Sequence, residues 1–170
     1  TGGRVTLGVG LGISSGPEFN QFSEERDPRV RGDMLDEGLE ILRAAWQGTP
    51  VRHAGAHYRV DDVTILPAPV QARLPVWGAT ERLSGRPVRR AAGLDGVFPI
   101  GLGPADLPEL LDNVARHRRE GLDGYDIVVT GTDSSQAWRE AGATWWLHEL
   151  DWRRPLSEAI ATVEAGPPAG

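Results

Sequence analysis

Apolar positions along the chain follow two patterns that alternate from end to end. Nearly continuous short runs at Val5, Leu7 and Val9, at 74–79, at 95–100, at 125–131 and at 143–148 are bounded by glycine, proline or polar residues and predict five strands. Between them the apolar spacing becomes helical. From Asp33 as a plausible N-cap, Leu35, Leu39, Leu42, Ala45 and Trp46 recur on one face, and Gly48 stops the helix before Pro50. A short helix is predicted over 87–92, a longer one opens at Pro104 with Leu107, Leu110, Leu111 and Val114 on one side, and 134–140 has room for about two turns at most. A last helix is predicted near 156–163. The segment 57–66 alternates and turns at Asp61 and Asp62, which predicts a short β excursion, whereas the charged stretch from Ile13 through Arg31 predicts a long surface loop. Strands that are apolar throughout and alternate with helices predict an α/β fold with a parallel sheet covered by helices.

Composition narrows the picture without changing the class. A length of 170 residues with 39% hydrophobic content suits one globular domain, and neither repeats nor low-complexity linkers mark a boundary. No apolar run approaches the roughly 20 residues that span a bilayer and no signal-peptide pattern opens the chain, so a cytoplasmic location without membrane contact is the expectation. The absence of cysteine excludes disulfides and thiolate metal sites, and a net charge of -6 argues against nucleic acid as a partner. His53, His57, His117 and His148 show no metal-ligand spacing; His53 and His57 are four apart but Gly55 lies between them in a turn-like segment. No metal site is expected.

Candidate chemistry gathers at the strand ends. Gly8, Gly10 and Gly12 alternate at the end of the first strand, where backbone without Cβ lets a bulky or anionic ligand approach. A glycine-rich strand packed against bulky neighbours would carry the same spacing. No helix opens directly after these glycines, which disfavours a dinucleotide fingerprint. Gly10, Leu11, Gly12 and Ser14 at one strand end, and Gly78, Ala79 and Thr80 at the next, offer backbone N–H groups and small hydroxyls suited to a phosphate, to which Arg82 could add charge. Only one of the neighbours Trp145 and Trp146 can face the sheet interior, because adjacent strand residues point opposite ways. His148 and Glu149 form the titratable pair at the last strand end, His148 being a weak catalytic candidate; a plain surface pair is the other reading.

Several blocks taken together resemble the luciferase-like flavin-dependent monooxygenase family. They are residues 4–12, 31–48, Gly55-Ala56-His57-Tyr58, 67–71, Pro75-Val76-Trp77, Arg90-Ala91-Ala92 with Asp95-Gly96-Val97, and 141–146, in that order over nearly the whole chain. The resemblance implies the later units of a TIM-type (β/α)8 barrel, about five parallel strands with covering helices, in a single incomplete domain over 1–170. A complete barrel of this type needs ~250 residues, and the first strand here resembles the family's fourth, so three N-terminal βα units are expected to be absent. A shortened segment near Thr132 implies one stunted covering helix. The resemblance further implies reduced FMN as cofactor, with a deazaflavin coenzyme as the alternative. The implied activity is oxygenation of a small organic substrate, or deazaflavin-linked hydride transfer; a non-catalytic flavin-binding fragment is the third reading. The implied partners are a separate flavin reductase and, in the complete protein, further copies in a homo-oligomer. The isolated chain is expected not to turn over substrate.

Overall fold

The computed structural model describes residues 2–13, 16–131 and 135–166. In chain order the elements are β1 (Leu7–Val9), α1 (Pro17–Gln21), α2 (Pro28–Ala45), β2 (Val51–Ala54), β3 (Arg59–Val63), β4 (Val76–Thr80), α3 (Arg86–Ala92) and β5 (Gly96–Pro99). A 3-10 turn (Pro104–Asp106) then leads into α4 (Leu107–Ala115), followed by β6 (Asp126–Gly131), α5 (Gln136–Glu140), β7 (Trp145–His148) and α6 (Leu156–Ala165). Five strands form one sheet in the order β1-β4-β5-β6-β7, every pairing parallel, as the apolar runs predict. β2 and β3 make a separate antiparallel hairpin, so the expected β excursion is present, but its turn falls at 55–58, where the Gly55 N–H donates to the Tyr58 carbonyl, and Asp61 and Asp62, expected to turn the chain, lie within β3.

The register sorts the sheet residues into two faces. Val9, Gly78, Val97 and Ile127 stand in one row across β1, β4, β5 and β6, and this face is covered by helices. Val88, Ala91, Ala92, Leu107, Leu110 and Val114 from α3 and α4 pack with Val97 and Ile127 into the main core. A second cluster joins Leu39 of α2 to Val76 and Leu94, with Leu35, Trp46, Leu7 and Val9 around it. The opposite face carries Gly8, Trp77, Gly96 and Asp126 in the neighbouring row. It is the inner face.

Three further sequence expectations change. Asp27, not Asp33, caps α2: its carboxylate accepts from the Arg29 N–H at 2.8 Å, and Pro28 occupies the first helical position, where a missing N–H costs nothing. Asp33 lies a turn further in and pairs with Arg86 of α3. The expected long loop contains α1, whose Phe19 is buried under the Arg31 guanidinium, 3.9 Å from the ring centroid. Leu42 leaves the apolar face of α2 and is exposed, while Leu39 at 4% is enclosed. The predicted stunted helix is the five-residue α5; residues 132–134 before it lie outside the described residues.

Candidate functional site at the strand ends

The carboxyl ends of the parallel strands form one rim, and the first two candidate segments meet there. β1 and β4 pair in parallel with Val9 beside Gly78, so Gly10 follows beside Ala79 on the inner face. A Cβ on Gly10 would stand 3.2 Å from the Ala79 Cβ. Gly12, two residues on, has φ +73, which frees the chain to turn off the sheet over the Phe19 ring. Gly10, Leu11, Gly12 and Ala79 thus present backbone and small groups on a single rim. Ser14 lies outside the described residues.

Two of the expected cofactor residues have another local reason for their identity. Gly78 points to the helix face, where a Cβ would come within 3.0 Å of the Ala91 Cα and of Leu94 Cδ1; its missing side chain lets α3 pack closely on β4. Thr80 is buried at 2%, and its hydroxyl is occupied by the next turn, accepting from the Arg82 N–H at 3.0 Å and donating to the Arg82 carbonyl at 2.8 Å. Arg82 itself follows on the exposed loop. His148 also reaches this rim, beside Gly131. Trp145 belongs to the inner face, where its indole meets Asp126, so His148, three residues further, faces the other way. The structure therefore separates His148 from the Gly10 and Ala79 surface.

Beneath the rim the inner face is aromatic. Trp77 Nε1–H donates to Asp126 Oδ2 at 2.9 Å and Trp145 Nε1–H donates to Asp126 Oδ1 at 2.7 Å, and the two rings lie 5.5 Å apart, tilted by 56°. Trp145 lines this face and Trp146 the other, next to Gly131, where a Cβ would strike the Trp146 ring at 2.3 Å. Asp126 was not among the residues the sequence singled out. The available signal was a lone carboxylate opening an otherwise apolar strand.

Concavities elsewhere do not compete for the chemistry. Two of them, about 390 and 560 Å³, lie at the amino ends of β1, β4 and β5, one bordered by Val5, Trp46 and Leu74 and the other by Arg43, Arg73 and Asp95. In parallel α/β architectures ligands sit at the opposite rim. Among the described residues no cluster of three or more His, Asp or Glu side chains is placed to hold a metal ion, and no helix is long and apolar enough to cross a membrane.

A second polar cluster fixes the outer layer. Glu37 of α2 accepts from the backbone N–H groups of His57 and Tyr58, both at 2.9 Å, and lies 2.8 Å from His53 Nε2. Desolvation opposes ionisation of Glu37, but the hydrogen bonds from His53, His57 and Tyr58 outweigh it and hold the carboxyl down to about 2. This is a clamp between α2 and the hairpin.

Comparison with known proteins gives the fold its wider context. The family model described as luciferase-like monooxygenase matches residues 1–165. An F420-dependent glucose-6-phosphate dehydrogenase of Microbacterium testaceum (strain StLB037) is 31% identical over 137 residues, covering 75% of this chain and 38% of that protein. Among solved structures, an F420-dependent secondary alcohol dehydrogenase in complex with an F420-acetone adduct superposes with a TM-score of 0.62 at 21% identity, over 75% of this chain and 39% of that one. The monooxygenase RslO1 from Streptomyces bottropensis superposes with a TM-score of 0.61 at 24% identity, over 82% and 45%. The five parallel strands and their helices correspond to part of a TIM-type barrel. The chain spans about two-fifths of the length of the Microbacterium testaceum dehydrogenase.

Proposed function

Because the chain belongs to the luciferase-like monooxygenase family, we propose that it forms the phosphate-side wall of an oxidoreductase pocket for a reduced deazaflavin coenzyme. FMN is the second reading. The observation that carries the proposal is the meeting of Gly10, Gly12 and Ala79 on one rim above an aromatic inner face. Bare backbone at Gly10 and a left-handed turn at Gly12 suit close approach of a phosphate or ribityl chain to main-chain N–H groups, with no lysine required. When bound, such a cofactor supplies two-electron chemistry: hydride transfer for the deazaflavin, or reaction with oxygen for reduced FMN. Around it this chain's share is binding, orientation and exclusion of water by Trp77 and Trp145.

Support for the deazaflavin over FMN comes from the relatives. Three relatives that are 29%, 31% and 32% identical to this chain over the aligned residues are named F420-dependent glucose-6-phosphate dehydrogenases. The second reading, in which a separate reductase supplies reduced FMN for oxygenation of a small organic molecule, is in keeping with the luciferase-like monooxygenase description of the family. Parallel titrations of the purified protein with F420 and with FMN, followed by cofactor fluorescence, test the proposal. Tighter binding of F420 is expected. Preference for FMN would transfer the assignment to the second reading, and binding of neither would overturn both.

A further inference from the structure

We infer that Asp126 is a positioning residue that locks the indoles of Trp77 and Trp145 into one fixed pair, making them the floor beneath the Gly10 and Gly12 rim. The floor's contact with a cofactor rests on the functional reading above; the locking of the indoles does not.

The three side chains come from three strands. Trp77 is on β4 and Asp126 on β6, and β5 runs between them. Only a residue without a side chain lets the indole cross: a Cβ on Gly96 would lie 2.6 Å from Trp77 Cδ1 and 2.7 Å from the Asp126 Cβ. The indole N–H is a donor only, and a carboxylate has an oxygen for each of two donors. Asp126 uses both, at 2.9 and 2.7 Å. Hydrogen bonds to an ionised acceptor are the stronger kind. Trp145 is 48% exposed, so packing alone does not fix its two torsions, and the bond to Asp126 supplies the missing constraint. With both oxygens turned to the indoles, the inner face presents ring surface where the sequence would suggest a bare charge. A flat heterocycle is the ligand that such a floor suits.

Asp126→Asn tests this directly, because the amide keeps the volume but offers one oxygen where the carboxylate offers two. Circular dichroism of coupled indoles gives a readout independent of any cofactor: two rings 5.5 Å apart at a fixed tilt produce an exciton couplet. Trp77→Phe and Trp145→Phe calibrate its amplitude. The couplet is expected to collapse in Asp126→Asn while the thermal transition stays cooperative, and affinity for F420 or FMN is expected to fall several-fold. A couplet unchanged from the parent protein would overturn the inference. Should the variant not fold, nuclear magnetic resonance on the unaltered protein decides: the Nε1–H signals of Trp77 and Trp145 are expected downfield and slow to exchange, and two fast-exchanging signals would overturn it. If the parent protein binds neither cofactor, the functional reading fails, while the couplet and indole signals still decide the role of Asp126.

Discussion

Gly78 of β4 and Ala91 of α3 approach so closely that a Cβ built on the glycine would stand 3.0 Å from the Ala91 Cα. Backbone lies on the far side of that contact, so no flexible side chain can yield. Gly78→Ala is expected to push α3 off the sheet and cost about 1–3 kcal/mol, the usual range for overpacking a tight core. Urea unfolding measures it. A midpoint equal to that of the parent protein would show that α3 can retreat without loss.

Leu39 and Leu42 lie on the same helix but differ in what surrounds them. Leu39 is 4% exposed against Val76 and Leu94, whereas Leu42 is 37% exposed. Leu39→Ala should cost about 2–5 kcal/mol, and Leu39→Asp more, since it buries an unpaired charge. Leu42→Ala should stay within about 1 kcal/mol. Equal losses at the two positions would mean that α2 packs with a different face.

The Glu37 clamp should open in acid. Its folded-state carboxyl is depressed from 4.5 to about 2, so its contribution is fully present above the higher value and is lost as pH falls towards the lower. Protection of the His57 and Tyr58 amides, whose N–H groups donate to Glu37, relative to the intrinsic exchange rate at each pH, should fall across that window. Glu37→Gln should remove the acid dependence at these two amides. Protection factors that stay constant in the parent protein from pH 5 to 2 would refute the clamp.

Gly10 and Gly12 should respond differently to the same substitution. Gly12→Ala forces a side chain into φ +73, 3.0 Å from Phe19 Cζ, and should cost about 1–2 kcal/mol of stability. Gly10→Ala meets only the Ala79 Cβ at 3.2 Å, so the expected effect is a small change in stability with a several-fold loss of cofactor affinity. Thermal melts paired with cofactor titration separate the two. Unaltered affinity in Gly10→Ala would remove that residue from the site.

Local pattern in the sequence determined much of this molecule. The five strands, the parallel class, the α2 face around Leu39 and the family were all legible, because apolar period and family blocks are properties of neighbouring residues. The start of α2 was misplaced at Asp33 because Asp27 with Pro28 sits inside a charged stretch that resembles loop. Other features were decided only when distant segments met. Gly78 reads as a ligand glycine until α3 is placed against it, and Thr80 reads as a free hydroxyl until Arg82 turns back onto it. His148 shares a strand with Trp145, but which of them shares a face with Trp77 depends on register with β6, and a shift of one residue reverses the answer. Asp126 shows the limit most clearly: its two partners lie 49 and 19 residues away, and only strand order and a glycine at 96 bring the three together.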